Sequence, residues 1–216
     1  MRILVTGAYA CFTRPELSVE RYTYDAITPS AAVGLIESVY WKPAVAWVID
    51  QITVLNPIRY AQIRRNELAI AAPANLRSVD ISRKGVRMQR RSTVLRDVAY
   101  VIDFHAVATG KESSEDAAAG VDVVGKHLSI LQRRLERGQH FKQPVLGCRE
   151  WPADVQLIEA APLSALTGER DLGIMLHSIN RDTGSRAVWH AVMHNGVIEV
   201  PQLGSPELII ERRAVA

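Results

Sequence analysis

The 216-residue sequence predicts an α+β fold, and three observations carry that expectation. Two apolar stripes recur at helical spacing, and several Val- and Ile-rich runs have strand character. Over residues 1–151 these segments follow the order strand, helix, strand, strand, helix, strand.

Residues 2–9 are β-rich, and 11–27 form an irregular, turn-rich stretch. Thr28-Pro29-Ser30 is a helix start, with a capping hydroxyl and a proline at the first helical position. Ala32, Leu35, Ile36 and Val39 make one apolar stripe; the helix is expected to stop near Trp41, because Pro43 biases Lys42 away from helical angles. A second strand over 44–55 ends at the break Asn56-Pro57. Turns are expected at 71–75 and 83–85, followed by one or two strands over 86–107. An acidic, Gly- and Ala-rich connector begins at Gly110, and a second helix is predicted from Lys126 to Arg137, stopped by Gly138. Its inward face is Leu128, Leu131 and Leu135. Lys126, Arg133 and Arg137 lie nearly opposite, with His127 and Arg134 on a flank. A further strand is predicted over 144–151.

That order is the ferredoxin-like pattern, which also underlies RNA-recognition modules. The division expected is a ferredoxin-like (RRM-like) domain over 1–151 with an Arg-rich β-hairpin insertion at about 59–96, then a small antiparallel all-β unit over 152–216. The second unit rests on apolar runs at 172–179, 187–193 and 197–200, the last two joined by the turn Asn195-Gly196.

Charge is concentrated in the insertion. Ten basic residues between Arg59 and Arg96 oppose only Glu67 and Asp80, a local charge of +8; since the whole chain is +3, the remainder is −5. A local excess of this kind points to a polyanionic partner. Nine of the ten are arginine, which suits bidentate phosphate contacts and stacking on bases. Arg64, Arg65, Arg90 and Arg91 are the candidate contacts here, joined by Arg133, Arg134 and Arg137 on the second helix and by Arg149. Arg149 stands beside Glu150, so an intramolecular ion pair competes with RNA binding there.

Other chemistries lack their signatures. The sequence has no GxxxxGK[ST], GxGxxG or GxSxG string, and no CxxC or HExxH. No metal site and no cofactor are expected. His190 and His194 share a strand face without an obvious third ligand, while Trp189, Ala191 and Met193 face the core. Two cysteines imply no disulfide framework, no apolar run reaches the ~20 residues of a membrane span, and residues 1–7 turn polar too soon for a signal peptide. The expected location is the cytoplasm, with no membrane partner.

Two sets of strings are more specific. One is Ala10-Cys11-Phe12-Thr13-Arg14-Pro15-Glu16, with Tyr24-Asp25-Ala26-Ile27-Thr28-Pro29-Ser30 and Ile36-Glu37-Ser38-Val39-Tyr40-Trp41-Lys42-Pro43. The other is Gly125-Lys126-His127, with Gly138-Gln139 and Leu146-Gly147-Cys148-Arg149-Glu150. Together with Asn56-Pro57-Ile58-Arg59 and Ile63-Arg64-Arg65-Asn66-Glu67, they resemble the Cas five d (Dvulg, type I-C) family of CRISPR-associated proteins, in the RAMP superfamily. The sequence departs from that family at Leu128, where an aromatic is usual, and at Gly138-Gln139-His140-Phe141-Lys142, where Gly-Gln-Cys-Phe-His is usual.

The resemblance implies an endoribonuclease that cuts the repeat stem-loop of precursor CRISPR RNA without metal, then stays on the mature guide RNA with other type I-C surveillance-complex subunits. The implied reaction is attack by the RNA's own 2′-hydroxyl, leaving a 2′,3′-cyclic phosphate. The family's catalytic Tyr, Lys and His fall on Tyr40, Lys126 and His127. Histidine suits an acid or base role near neutral pH, lysine can neutralise phosphorane oxygens, and tyrosine can orient or activate the nucleophile. The alternative is a guide-RNA-binding structural subunit that does not cut. Weak DNA binding through the same arginines is a further expectation.

Overall fold

The structure, a computed structural model, describes residues 1–17, 20–69, 80, 82 and 85–211. Strand β1 (Arg2–Ala10) leads through a short 3-10 turn (Pro15–Leu17) and the two-residue β2 (Arg21–Tyr22) to helix α1 (Pro29–Val39). Strands β3 (Val45–Val54), β4 (Tyr60–Leu68) and β5 (Arg87–Ala108) follow, then helices α2 (Ser114–Ala118) and α3 (Val123–Glu136). The chain ends in β6 (Asp154–Leu157), β7 (Glu169–Ile179), β8 (Arg186–His194), β9 (Val197–Glu199) and β10 (Ile209–Glu211). The architecture is mostly antiparallel sheet with few helices; among the described residues only β2 pairs in parallel.

The central order is β6-β1-β5-β3, with β9 and β8 continuing the sheet beyond β3. β5 lies between β1 and β3, and Tyr100, Val101 and Ile102 at its middle are at most 1% exposed. Both faces are covered there, so consecutive residues are apolar rather than alternating. α1 packs its Ala32, Leu35, Ile36 and Val39 stripe on one face, beside α3 with Leu131 and Leu135. Leu55, Ala99 and Val101 form a smaller cluster on the opposite side.

On the N-terminal side β5 is one arm of a hairpin with β4, paired from Tyr60↔Leu95, where Val94 and Leu95 are still buried, out to Leu68↔Arg87. The arm joins the core at Asp97, whose φ of 53° is left-handed, and whose carbonyl accepts from Asn56 Nδ2 at 2.8 Å. Asp tolerates that region better than most residues, which lets the strand bend without breaking. The turns expected at 71–75 and 83–85 fall largely outside the described residues.

Four local expectations change. The connector contains α2, because Ser113 caps it by accepting from Asp116 N at 3.2 Å. α3 begins three residues before Lys126, because Asp122 is its N-cap and accepts from Gly125 N at 3.0 Å. Residues 144–151 are not a strand: they form a loop with a single bridge, Val145↔Pro152, and the pairing with β1 falls to β6. Gly147 explains the loop, with φ at 87° and a Cβ position only 2.0 Å from the Cys11 carbonyl oxygen, so no larger residue fits. Strand β10, pairing with β8, was not expected. The turn at Asn195-Gly196 is as expected, with φ of 51° and 83°.

Leu131 is wholly buried where α3 meets the sheet. Leu131→Ala is expected to cost about 2–5 kcal/mol in urea unfolding; a loss under 1 kcal/mol would mean that α3 is not held by that contact.

Candidate active site

The C-terminus of α1 and the first turns of α3 meet at one end of the sheet. A helix leaves its last carbonyls without intrahelical donors, and at α1 each of three finds a partner. Tyr40 N bonds the Ile36 carbonyl at 3.0 Å. Phe141 N and Lys142 N both bond the Ser38 carbonyl, at 3.0 and 2.9 Å. Arg134 Nη1 donates to the Val39 carbonyl at 2.7 Å. Trp47 Nε1, from β3, holds the Tyr40 carbonyl at 3.2 Å. Tyr40 is thereby held by α1 and β3, and the two residues before it by α3 and the loop at Phe141-Lys142.

Its hydroxyl lies 2.6 Å from His127 Nδ1, joining residues 87 positions apart. The two residues are 4% and 5% exposed. His127, Leu131 and Leu135 are spaced four apart and share the buried face of α3, so His127 belongs to the core stripe rather than its flank. Burial pushes the Tyr40 phenol above its ordinary value, against the opposing pull of Arg134 and Lys126. Burial also lowers His127, helped by the Lys126 and Lys42 charges and partly opposed by Asp116. A neutral phenol and a neutral imidazole can bond in either sense, by Tyr40 O–H donating to Nδ1 or by Nδ1–H donating to the phenol oxygen; the first leaves the imidazole proton on Nε2.

Lys126 sits next to this pair but is engaged elsewhere. Its Nζ is 2.7 Å from both carboxylate oxygens of Asp116 in α2, which hold that carboxyl below its usual range. The N-terminal amides of α3 do not flank Lys126 and His127, because the Lys126 amide is already bonded to the Asp122 carbonyl.

Tyr40 lines an open cleft of about 580 Å³, with Trp41, Lys42, Arg134, Phe141 and Lys142 around it. Arg134 also lies over the Tyr40 ring, 5.0 Å from its centroid.

The other expected contacts are dispersed. Along β4 and β5 the exposure alternates, so Arg64 and Arg91 project together from one face while Arg65 and Arg90 occupy the other. Arg65 bonds Glu67 at 2.7 Å and also Glu150; Arg21 bonds Glu150 at 3.2 Å, and Arg90 reaches Glu67 at 3.6 Å. The partners of Glu150 are thus Arg65 and Arg21, not its neighbour Arg149, which is exposed. Arg133 and Arg137 are exposed on α3. From Arg91 to Ala108, opposite the start of β3, is 17 residues of strand, roughly 55 Å at about 3.3 Å each. The hairpin arginines and the Tyr40–His127 pair occupy opposite ends of the sheet.

Asp116, Trp41 and Phe141 are not among the site residues expected from the sequence, although Trp41 and Phe141 stand in the strings compared with the family. Asp122 carried a signal, an Asp three residues before Gly125 at a helix start. Asp116 carried none, because its partner is set by how α2 folds back. His190 and His194 lie exposed on β8, within reach of Asp171 and Glu169 at 2.8 and 3.6 Å. Among the described residues no three His, Cys, Asp or Glu side chains converge as metal ligands do. No helix among them is long and apolar enough to cross a membrane.

Comparison with known proteins adds independent findings. The family described as CRISPR-associated protein (Cas_Cas5) matches residues 1–201. A protein of Mannheimia succiniciproducens named "CRISPR pre-crRNA endoribonuclease Cas5d" is 46% identical over 226 residues, covering 96% of this chain and 97% of that protein. One of the same name from Thermus thermophilus is 38% identical over 153 residues, covering 71% of this chain and 62% of that protein. A solved structure titled "Crystal Structure of CRISPR-associated Protein" superposes with a TM-score of 0.72 at 26% identity, over 97% of this chain and 95% of the other.

A lowered histidine pKa has a defined consequence for stability. The folded state binds the His127 proton less tightly than the unfolded chain, so the contribution is complete above about pH 6.5 and is lost as pH falls through the folded-state value. His177, lowered by burial too, acts with the same sign. The drop in urea midpoint between pH 7.5 and 5.5 is therefore expected to shrink, without vanishing, in His127→Gln. An unchanged drop would show that His127 is not buried neutral.

Proposed function

Because the chain belongs to the Cas five d family of CRISPR-associated proteins, we propose that it cuts precursor CRISPR RNA within the repeat, at the Tyr40–His127 pair. The observation that carries this reading is the 2.6 Å bond between the Tyr40 hydroxyl and His127 Nδ1 beside an open cationic cleft.

The proposed reaction is a metal-independent transesterification. The 2′-oxygen attacks the adjacent phosphorus, the bond from phosphorus to the 5′-oxygen breaks, and a 2′,3′-cyclic phosphate and a 5′-hydroxyl remain. Tyr40 is the member of the pair that lines the cleft, so it meets the nucleophile. Its oxygen accepts the 2′-proton as it passes its own to Nδ1, and the resulting imidazolium supplies the proton that the 5′-oxygen takes up. A neutral imidazole is ready to accept at the outset, and burial of the pair maintains that state. Lys126 offers positive charge to the phosphorane, with RNA phosphate competing against Asp116 for its ammonium.

The reading extends to binding and assembly. Exposed Arg64 and Arg91, directly opposite one another in the ladder, place like charges side by side, an arrangement that a phosphate relieves. Arg133, Arg137 and Arg149 offer further exposed contacts, and Arg134 acts locally by holding Tyr40. We also propose retention on the mature guide RNA with the other type I-C surveillance-complex subunits, weak DNA binding through the hairpin, and a cytoplasmic location. The elements β1-α1-β3-β5-α3-β6, with sheet order β6-β1-β5-β3, support a ferredoxin-like reading of the N-terminal part. The proposed division is a unit over 1–151 and a C-terminal β unit over 152–216, with β6, which pairs with β1, just past the boundary. A non-cutting, guide-binding role has one observation in its favour, the engagement of Lys126 by Asp116.

Assay of the purified protein separates these readings. Repeat RNA is expected to be cut in excess EDTA, yielding a cyclic phosphate; an absolute need for added divalent metal would contradict the mechanism. Tyr40→Phe and His127→Ala are each expected to slow single-turnover cutting by about 10²-fold or more, with RNA binding largely kept. The double variant is expected to be no slower than the slower single, because the two act as one unit.

For the hairpin, the two faces are expected to differ. Replacing Arg64 and Arg91 together with serine should reduce the slope of log K against log salt by roughly 1.5–2. Replacing Arg65 and Arg90 should change it less, because ion pairs already occupy them. Equal slopes for both double variants would remove the distinction between the faces.

A further inference from the structure

The cleft beside Tyr40 is built from side chains that the cutting reaction leaves unused. The protein has three phenylalanines. Phe12 and Phe104 are core residues, 3% and 1% exposed, whereas Phe141 is 75% exposed. Trp41 is 53% exposed, while Trp47 and Trp189 are buried. Large aromatic rings held in water are costly unless something covers them.

These rings are nevertheless not on a loose loop. The amides of Phe141 and Lys142 both cap the Ser38 carbonyl, and Trp41 directly follows the fixed Tyr40. Lys142 Nζ lies 5.8 Å from the Phe141 ring centroid, and Lys42 lines the same cleft. The carboxylate at its edge, Glu37, is paired with Arg181 at 2.7 Å. The surface therefore offers anchored aromatic faces and unspent positive charge within one cleft, next to the reacting hydroxyl.

That combination matches a single-stranded nucleotide, whose base has a free face for stacking and whose phosphate seeks a cation. A base inside a duplex has both faces covered by its neighbours. We propose that Phe141 and Trp41 form a stacking subsite for one unpaired nucleotide flanking the scissile phosphate, with Lys42 and Lys142 holding its phosphate. The proposal rests on RNA cutting at Tyr40–His127 and adds a specificity requirement. The cut must fall where the base next to it can leave the helical stack, at a stem end or beyond it. Placing that base on the rings orients the adjacent phosphate toward Tyr40.

The test combines protein and RNA changes in one cycle. Repeat RNAs carrying a single abasic site at each position flanking the cut are measured for Kd and single-turnover rate, with wild type, Phe141→Ala, Trp41→Leu and Phe141→Tyr. In wild type, one abasic position is expected to weaken binding about tenfold. Phe141→Ala is expected to cost about the same on intact RNA, and combining the two is expected to cost no more than either alone. Phe141→Tyr, which keeps the ring, is expected to restore binding. Wild-type Kd and rate in both Phe141→Ala and Trp41→Leu would overturn the subsite, as would losses that multiply at every position. Unchanged RNA binding with weakened association of a protein subunit would overturn it in favour of a protein occupant. If wild type leaves repeat RNA uncut, the cutting reading fails separately, and the same cycle measured as Kd decides the stacking.

Discussion

Strand β5 sets the plan of the molecule. Its 22 residues hydrogen-bond to β1, β2, β3 and β4, so almost every other strand takes its position directly or indirectly from it. Its middle, Val98 to Ile102, is the centre of the core, covered on both faces; its N-terminal end, Arg87 to Arg91, leaves the core as a charged arm. The left-handed Asp97 between the two is the local concession that lets one strand serve both. This arrangement also explains why the arginine arm and the Tyr40–His127 pair stand far apart. One extends past the end where β3 finishes, and the other sits where β3 starts. A single RNA that engaged both, as proposed, would have to run along the sheet or fold around it.

At the other end, the site depends on unfinished hydrogen bonding. α1 ends with carbonyls that need donors, and the donors come from Tyr40, Arg134, Phe141, Lys142 and Trp47's hold on the next residue. The same bonds that finish the helix therefore build the cleft. The phenol and imidazole, both nearly buried, satisfy one another, and an unpaired polar group there would be destabilising. Burial drives both toward their neutral forms, the state from which the proposed proton relay starts.

The arginines show how backbone geometry divides a charge cluster. In a strand, neighbours face opposite ways, so the adjacent pairs Arg64-Arg65 and Arg90-Arg91 are split. One set joins Glu67 and Glu150 in ion pairs at the hairpin base, and the other faces outward. Net charge counted along the sequence treats all four alike. Only half of them carry the unspent charge that the count suggests.

What the sequence determined by itself is whatever is encoded over a few residues. The Thr28-Pro29 start of α1, its apolar stripe, the strand periodicities and the Asn195-Gly196 turn were legible because capping, 3.6-residue spacing and left-handed turns are local physics. The family strings pointed to Tyr40, Lys126 and His127 as a set without saying how they meet. The early start of α3 was legible in principle from Asp122. Tertiary structure alone decided the rest: the bond from Tyr40 to His127, the hold of Asp116 on Lys126, the capture of Glu150 by Arg65 and Arg21, and the loop at Gly147 in place of a strand. Each depends on residues remote in sequence being brought within bonding distance, and on the exclusion of water that follows. Neither can be read from a segment before the chain has packed.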